Sequence, residues 1–558
     1  MKEKYTIGLD FGTLSGRGVL VRCRDGEVVS SAVKAYKHGV LETFLPDGKT
    51  ALPSEWCLQH PEDYLEVVES VIPDLLLGSD VDAEAIIGLG VDFTASTILP
   101  VDSKGIPLCE QERFKLRRNA YAKLWKHHGA QRQADYINGL LVKMGLAKTP
   151  RFGGTVSSEL MVPKVLETLQ EDLEVYESAS EFLEAGDWIT RTLTGSNKRS
   201  CSMAGYKMWW SHESGYLENG FFGRIDNRLE QFVAEKLPGE VVGISESVGG
   251  LSKVWSEKLG LREGIAVAPA IIDSHAGFPG SRVYRKGQAM LVIGTSSVLM
   301  TLSDQPYSDK GIYGGVRDAI VPGYYALESG LAAVGDLFGW FIEKFIPECY
   351  CREAEEKNLN IHTLLSLKAQ SLKAGESGLM ALDWWNGNKT PYVDSNLSGS
   401  IVGLTLSSKP EEIYRALIEA TAFGTRTILE LFKSNGLQID EIIASGGIAI
   451  KNPLLMQIYA DVLGVDIRIA ESEQAAALGA SIYASLAAKS EAGGYDIYRE
   501  AVENMTKVER QVYFPEKSNA QIYDDLYKIY QSYSDIMGNQ NRRVIEELYK
   551  IKNSVCCN

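Results

Sequence analysis

The stretch Leu9-Asp10-Phe11-Gly12-Thr13-Leu14-Ser15-Gly16-Arg17 decides how the fold of the chain is interpreted. It joins two runs that are predicted to be strands, Tyr5–Asp10 and Gly18–Cys23. An aspartate at the end of a buried strand offers a carboxylate to a divalent cation, and a Gly/Thr/Ser turn offers N–H and hydroxyl groups to phosphate oxygens. The stretch therefore indicates a phosphate-binding hairpin, although an ordinary hairpin uses the same turn residues.

A similar turn, Gly294-Thr295-Ser296-Ser297, lies near the start of the second half of the chain. It too separates two predicted strands, Ala289–Ile293 and Val298–Leu302. A nucleoside triphosphate held between two domains needs one phosphate-binding hairpin from each domain. The repeat therefore predicts a duplicated α/β chain with a ligand cleft between an N-terminal domain, residues 1–280, and a C-terminal domain, residues 281–558.

The amino-acid composition limits the classes of ligand that we expect the protein to bind. The chain has 558 residues, 45% of them hydrophobic and 23% charged, which are ordinary values for a folded protein. Its 57 basic and 73 acidic side chains give a net charge of −16, which disfavours phosphate backbones and anionic lipid surfaces. No apolar run approaches the ~18 residues that span a bilayer. We therefore expect small-molecule ligands, no nucleic acid and no membrane.

The cysteine pattern indicates the redox state of the compartment in which the protein is expected to occur. Eight are present, and none forms a Cys-x-x-Cys pair that would indicate a zinc site or a redox motif. We therefore expect reduced thiols and a cytoplasmic protein.

A third candidate element follows the predicted strand Ile442–Ser445. Gly446-Gly447 would let a flat ligand such as adenine lie against the backbone. Asn452 precedes Pro453 and the predicted helix Leu454–Leu463. Asn452 is a plausible N-cap of this helix, and that role alone would explain its presence.

A fourth candidate is Asp273, which ends the apolar run Ala266–Ile272. A carboxylate at a strand end that faces a cleft suits a general base or a metal ligand, and it also suits a cap of the following turn. We assign no chemistry to the neighbouring His275. The basic stretch Arg113–His128 is predicted to be the solvated face of a helix, although Trp125 and Lys126 suit a sugar cleft.

Together these motifs resemble the FGGY carbohydrate kinases, whose fold is a pair of duplicated actin-like ATPase (ribonuclease H-like) domains. The family's C-terminal signature is matched by Gly399, Ile401, Gly403, Leu404, Glu412, Ile413, Ala416 and Glu419. The N-terminal signature agrees at Lys164-Val165, but Glu167 replaces the usual tryptophan.

The resemblance implies that ATP and Mg²⁺ bind in the cleft. The residues that it assigns to ATP are Asp10, Gly12, Thr13, Gly294, Thr295, Ser296, Gly446, Gly447 and Asn452. It assigns Mg²⁺ to Asp10 and Asp273.

Four further segments resemble the sugar-side segments of members that act on ketopentoses. They are Val91–Thr97, Leu124–His128, Met203–Trp210 and Ala326–Gly330. The resemblance implies that Ala95, Lys207, Asp273 and Glu328 contact the sugar and that Asp273 is the general base.

The implied reaction converts L-ribulose and ATP into L-ribulose 5-phosphate and ADP, a step of arabinose catabolism. Two alternatives stay open. One is another member of the family that acts on xylulose, glycerol or a different polyol or ketose, and the other is a non-kinase actin-like ATPase. A homodimer also stays open, because the helices predicted near Ile522–Ile551 can pack on the body or on a second copy.

Overall fold

Two seven-stranded sheets, one from each half of the chain, form the frame of the protein. The computed structural model describes residues 3–147, 149–152, 155–307, 310–507, 511–540 and 542–556. The strands of the first sheet are β1 (Tyr5–Phe11), β2 (Ser15–Arg22), β3 (Val28–Ala35), β4 (Ile86–Phe93), β5 (Gly249–Gly250), β6 (Ala266–Val267) and β7 (Ile271–Ile272). They run in the order β5-β6-β4-β1-β2-β3, and β7 also pairs with β4.

The second sheet repeats this plan. Its strands are β8 (Gln288–Ile293), β9 (Ser297–Ser303), β10 (Tyr313–Arg317), β11 (Tyr325–Leu331), β12 (Glu441–Ser445), β13 (Asp466–Ile469) and β14 (Gln511–Tyr513). They run in the order β10-β11-β9-β8-β12-β13-β14. In each sheet the first strand pairs antiparallel with the second strand and parallel with the fourth or fifth, namely β1 with β2 and β4, and β8 with β9 and β12. This shared order confirms the predicted duplication.

Smaller strand pairs and many helices surround the two sheets. The smaller strands are Leu58–Gln59, Ile98–Val101, Ala122–Lys123, Glu181–Glu184, Arg199–Ser200, Val241–Val242, Met380–Leu382 and Ser400–Val402. The helices of the first half are Pro61–Leu77, Gln131–Lys143, Met161–Glu171, Leu173–Ser178, Ala185–Thr194, Cys201–Met208, Asn219–Ile225, Phe232–Lys236, Lys253–Leu259 and Asp273–Gly280. Those of the second half are Gly335–Phe345, Glu348–Glu356, Ile361–Gln370, Pro410–Ser434, Gly447–Lys451, Pro453–Leu463, Ala475–Ala492, Tyr498–Met505, Lys517–Asp535 and Arg542–Cys556.

The helix Ala475–Ala492 belongs to the second half by sequence, yet it packs directly on the first sheet. A Cβ added to Gly8 would lie 1.9 Å from the carbonyl oxygen of Ala477, and one added to Gly90 would lie 1.8 Å from that of Ala480. Only glycine permits such a close approach of backbone to backbone. The two halves are therefore interlocked along this helix.

The apolar run Ala266–Ile272 forms two short strands, because Pro269 between them lacks the N–H group that a ladder needs. One expectation about local structure was wrong. The stretch Arg113–His128 forms turns, one 3₁₀ turn and a short strand instead of a helix. Its Lys123 is buried and bonded to a distant helix, which a solvated helical face would not allow.

Neither a helix suited to crossing a bilayer nor a disulfide occurs in the described part of the chain. No described helix is both long enough and apolar enough for a membrane span. The thiols of Cys23, Cys57, Cys109, Cys201, Cys349 and Cys351 are free.

Candidate active site

Three carboxylates meet where neighbouring strands of the first sheet end. Asp10 on β1 stands opposite Asp92 on β4, and the next residue of β4, Phe93, pairs with Ile272. Asp273 follows Ile272 directly and begins the helix Asp273–Gly280 without capping it through its side chain. Parallel strands end at one edge of a sheet, so Asp10 and Asp273 come together as predicted. Asp92 is an addition that the sequence analysis did not assign.

Burial sets the charge state of this cluster. Asp92 is wholly inaccessible, and neither of its oxygens has a hydrogen-bond partner in the described part of the chain. Burial, helped by the charges of Asp10 and Asp273, raises the pKa of Asp92 well above its usual range. Burial also raises the pKa of Asp273 to about 7, with Asp10 raising it further and the N–H of Ser274 and the charge of Lys207 lowering it. The guanidinium of Arg17 lies 3.3 Å from Asp10.

This cluster has the donor set of a magnesium site. Mg²⁺ binds carboxylate oxygens and keeps several water ligands, which together can satisfy oxygen atoms that protein groups leave unpaired. Two buried carboxylate oxygens of Asp92 without partners are costly unless a cation or a proton compensates them. The residues Asp10, Asp92 and Asp273 therefore fit a divalent cation.

The two predicted phosphate turns have matching geometry. In the first turn the N–H of Gly12 donates to the carbonyl oxygen of Ser15 over 3.1 Å, and in the second the N–H of Gly294 donates to that of Ser296 over 2.9 Å. Thr13 is half-buried and Thr295 is exposed. Each turn therefore follows the first strand of its sheet, β1 or β8, and places polar groups at the surface.

A cavity of about 370 Å³ extends from Asp273 toward the second sheet. Its lining residues include Asp273, Ser274, Ser445, Gly446, Gly447 and Lys451. Gly446 has a φ of +97°, and a Cβ there would lie 2.4 Å from the carbonyl oxygen of Ile293, so the position requires glycine. The structure thus joins Asp273 and the double glycine along one cavity.

Asn452 lies outside the residues that line this cavity. Its Oδ1 accepts a hydrogen bond from the N–H of Leu455 over 3.1 Å and caps the helix Pro453–Leu463. The N-cap interpretation accounts for Asn452 in this structure, and its role in nucleotide binding stays a prediction.

The expected sugar-side residues Lys207 and Glu328 lie on two different elements. Lys207 lies in the last turn of the helix Cys201–Met208, and its charge acts on both Asp273 and Glu328. Its ammonium has no hydrogen-bond or ion-pair partner among the described residues. Glu328 lies on β11, and burial opposes its ionisation, but His275, Lys207 and Lys389 lower its pKa to about 2.

Ala95 lies in the turn after β4, three residues beyond Asp92. It is half-buried and packs against the core of the first domain. The structure therefore puts Ala95 near the end of the same strand that carries Asp92. The next residue, Ser96, has a φ of +56°, a strained conformation for a residue with a side chain.

Sequence reasoning missed two residues of this site. His275 was assigned no chemistry, yet its Nε2 lies 3.6 Å from a carboxylate oxygen of Glu328 and its ring lies 4.5 Å from that of Tyr206. Nothing in its local sequence indicates this contact, because Glu328 is distant in the chain. Asp92 could have been found from the sequence, because it is the single charged residue in the otherwise apolar strand Ile86–Phe93.

Comparison with known proteins gives a consistent result. The model of the FGGY family of carbohydrate kinases, N-terminal domain, matches residues 5–280, and that of the C-terminal domain matches residues 289–488. The chain is 46% identical to a ribulokinase of Bacillus licheniformis over 97% of this chain and 98% of that protein. It is 38% identical to a ribulokinase of Staphylococcus aureus strain Newman over 98% and 99% of the two chains.

Solved structures share the fold. A xylulose kinase from Rhodospirillum rubrum superimposes with a TM-score of 0.80 at 22% identity, covering 96% of this chain and 99% of that one. A Plasmodium falciparum glycerol kinase with ADP superimposes with a TM-score of 0.76 at 16% identity, covering 95% and 98%.

Proposed function

Because the chain belongs to the FGGY family of carbohydrate kinases, we propose that it phosphorylates L-ribulose, producing L-ribulose 5-phosphate and ADP from L-ribulose and ATP. The ribulokinase relatives, 38–46% identical over nearly the whole chain, support this choice of substrate. The observation that carries the proposal is the position of Asp273. It lines the cavity that reaches Gly446-Gly447, and the charge of Lys207 lowers its pKa.

The nucleotide side of the mechanism depends on positioning. Phosphoryl transfer needs in-line geometry and neutralised phosphate charge more than covalent help from the protein. We assign the phosphate oxygens to the turns at Gly12-Thr13 and Gly294-Thr295-Ser296. Asp10, Asp92 and Asp273 would hold Mg²⁺, which supplies neutralising charge to the phosphates when it is bound.

Asp273 performs the proton transfer in this proposal. Its carboxylate accepts the proton of the sugar 5-hydroxyl while that oxygen bonds to the γ-phosphorus. The bond between the γ-phosphorus and the bridging oxygen of ADP breaks at the same stage, and the proton stays on the carboxyl group of Asp273. Burial raises the pKa of Asp273 above its usual range, which makes its carboxylate a stronger proton acceptor.

The sugar hydroxyls are assigned to Lys207, Glu328 and the backbone at Ala95. A lysine and a carboxylate provide donors and acceptors for neighbouring hydroxyl groups. A buried polar site of this kind discriminates against analogues that lack a hydroxyl, because its own groups are then left unpaired.

A coupled ADP-release assay tests the proposal with L-ribulose, xylulose, glycerol and no sugar. We expect the highest kcat/KM with L-ribulose. A higher kcat/KM with xylulose or glycerol would replace the proposed substrate with another one used by the family. ADP release that does not depend on any sugar would favour the non-kinase ATPase alternative.

The Asp273→Asn variant tests the assigned base. Its kcat should fall about 10²–10⁴-fold, the usual contribution of a positioned base. Affinity for ATP in the absence of Mg²⁺, measured by calorimetry, should stay within about twofold, because Asp273 is assigned to the cation and the sugar and not to the nucleotide. The exposed Asp525, which pairs with Lys528 on the surface, provides the matched control, and Asp525→Asn should retain full kcat.

The proposal also includes the roles of the two domains and the oligomeric state. We assign sugar binding mainly to residues 1–280 and ATP binding mainly to residues 281–558.

A homodimer through the helix Arg542–Cys556 stays a prediction, supported by the exposed apolar side chains of Val544, Leu548 and Ile551. Sedimentation equilibrium of the full chain and of L548E measures it directly.

A further inference from the structure

Two carbonyl oxygens of the first phosphate turn are held by buried side chains. The hydroxyl of Tyr36 donates to the carbonyl oxygen of Gly12 over 2.9 Å. The side-chain amide of Gln59 donates through Nε2 to the carbonyl oxygen of Thr13 over 2.7 Å. Tyr36 is 7% exposed and Gln59 is 1% exposed, so both groups reach the turn from the protein interior.

A second buried tyrosine fixes the orientation of the Gln59 amide. The hydroxyl of Tyr64 donates to Oε1 of Gln59 over 2.7 Å, and Tyr64 is wholly inaccessible. The carbonyl oxygen of Thr13 can only accept, so the amide must present Nε2 to Thr13 and Oε1 to Tyr64. The bond from Tyr64 therefore favours the one amide orientation that can hold Thr13.

These hydrogen bonds fix two peptide groups of the turn. The carbonyl of Gly12 shares a planar peptide group with the N–H of Thr13, and the carbonyl of Thr13 shares one with the N–H of Leu14. Both peptides are trans, so each N–H points away from the side chain that holds the carbonyl. Neither N–H donates to an acceptor in the described part of the chain. The turn therefore presents two unpaired donors on the side opposite its carbonyl oxygens, which suits an anion.

The second phosphate turn has the same arrangement with different donors. The N–H of Gly335 donates to the carbonyl oxygen of Gly294 over 2.9 Å, and that of Val334 donates to the carbonyl oxygen of Thr295 over 2.8 Å. The N–H groups of Thr295 and Ser296 have no acceptor among the residues that the structure describes. Both turns therefore hold the two corresponding carbonyls and leave the two following N–H groups unpaired. In the first turn side chains supply the donors, so substitutions can remove them.

We propose that Gln59 and Tyr36 are positioning residues, which hold the N–H groups of the first phosphate turn toward the phosphates of ATP. This inference rests on the proposed function. Neither side chain touches the nucleotide, and each acts through one peptide group of the turn. Without its hydrogen bond the peptide group can rotate and direct its carbonyl oxygen at the negatively charged phosphates. The loss of either bond should therefore weaken the binding of ATP and leave the recognition of its adenosine part unchanged.

The first experiment measures the nucleotide affinity of Tyr36→Phe and Gln59→Leu by calorimetry without sugar. Each variant should bind ATP about threefold to tenfold more weakly, in line with the loss of one hydrogen bond. Adenosine lacks phosphates, so its affinity, measured by competition with ATP, should stay within about twofold. Tyr483→Phe is the matched control, because this buried tyrosine donates to the carbonyl oxygen of Ile320 over 2.7 Å, outside both turns. It should keep the wild-type affinity for both ligands.

A double variant separates the orientation of the turn from stability. Gln59→Leu leaves the buried hydroxyl of Tyr64 without its acceptor and should lower the Tm. The double variant Gln59→Leu/Tyr64→Phe removes both polar partners, so its Tm should be higher than that of Gln59→Leu, but it should bind ATP just as weakly. It also replaces Gln59→Leu if the single variant does not fold. Wild-type ATP affinity in the double variant would overturn the role of Gln59.

Two further results would overturn the inference. One is an ATP affinity within about twofold of the wild type in both Tyr36→Phe and Gln59→Leu. The other is an equal loss of affinity for ATP and adenosine with a lower Tm, which is the signature of a structural role. None of these measurements needs a sugar, so failure of the enzyme on L-ribulose counts against the proposed function alone.

Discussion

The indole Nε1 of Trp125 donates a hydrogen bond to the hydroxyl oxygen of Thr13 over 3.1 Å. The two residues are 112 positions apart in the chain, and the bond joins the first phosphate turn to the segment Leu124–His128. A threonine hydroxyl that accepts from the indole keeps its own proton available for another acceptor. The contact therefore leaves the Thr13 hydroxyl proton free to bond a phosphate oxygen, as the proposed function requires.

Removal of this bond should weaken ATP binding. We expect Trp125→Phe to raise the KM for ATP about threefold to tenfold, in line with the loss of one hydrogen bond. Steady-state kinetics at saturating sugar measures the change. In a Thr13→Val background the same substitution should have no further effect, and an equal effect there would show that the indole acts by another route.

Asp92→Asn should separate cation binding from folding. Asparagine keeps the volume of the side chain but removes a buried carboxylate, so the Tm should rise while the Mg²⁺ concentration for half-maximal binding of nucleotide increases about tenfold. Calorimetric titration of Mg²⁺ at fixed ATP measures the second quantity. Asp63 is the matched control because it is equally buried but bonded to His38 over 2.7 Å. Asp63→Asn should lower the Tm without changing the Mg²⁺ titration, and the same Mg²⁺ response in both variants would contradict the assignment.

The free energy of unfolding should fall as pH rises from 5 to 7. Burial raises the pKa of Glu184 from 4.5 to about 8 and that of Asp187 from 3.8 to about 7. Between these values the native state binds more protons than the unfolded state, so each group removes up to about 1.4 kcal/mol of stability per pH unit. Urea unfolding at several pH values measures the slope. Glu184→Gln should make the slope shallower, and an unchanged slope would rule out this contribution.

Gly90→Ala should disrupt the interlocking of the two halves. A methyl group 1.8 Å from the carbonyl oxygen of Ala480 would force the helix Ala475–Ala492 away from the sheet, at a cost in the range of severe core substitutions, about 3–5 kcal/mol. Urea unfolding measures it. The control is Gly139→Ala, in a helix position with open space around it, which should stabilise the protein by up to about 1 kcal/mol.

Elements defined by local patterns could be predicted from the sequence. The predicted strand Tyr5–Asp10 is β1, Tyr5–Phe11, and the predicted helix Leu454–Leu463 begins one residue earlier at Pro453. Apolar periodicity and turn residues are local properties, so they are visible without knowledge of the tertiary structure. The meeting of Asp10 and Asp273 was also predictable, because each ends a strand.

Buried polar pairs could not be predicted in this way. Lys123 was expected on a solvated face, but its ammonium donates to a carboxylate oxygen of Glu167 over 2.6 Å, and His127 contacts the same oxygen over 2.9 Å. Glu167 lies in a separate helix, 44 residues after Lys123 and 40 residues after His127. Its charge compensates Lys123 only in the folded protein, so neither partner indicates burial in the sequence.

The packing of the helix Ala475–Ala492 has a consequence for biosynthesis. The strands that it covers emerge from the ribosome long before the helix itself, since Gly8 and Gly90 precede it by almost 400 residues or more. At ordinary elongation rates that interval is roughly 20–90 s. During this interval the helix that packs on one face of the sheet has not yet been synthesised, and the apolar residues of that face stay exposed. Chaperones should therefore remain bound to truncated nascent chains until translation is nearly complete.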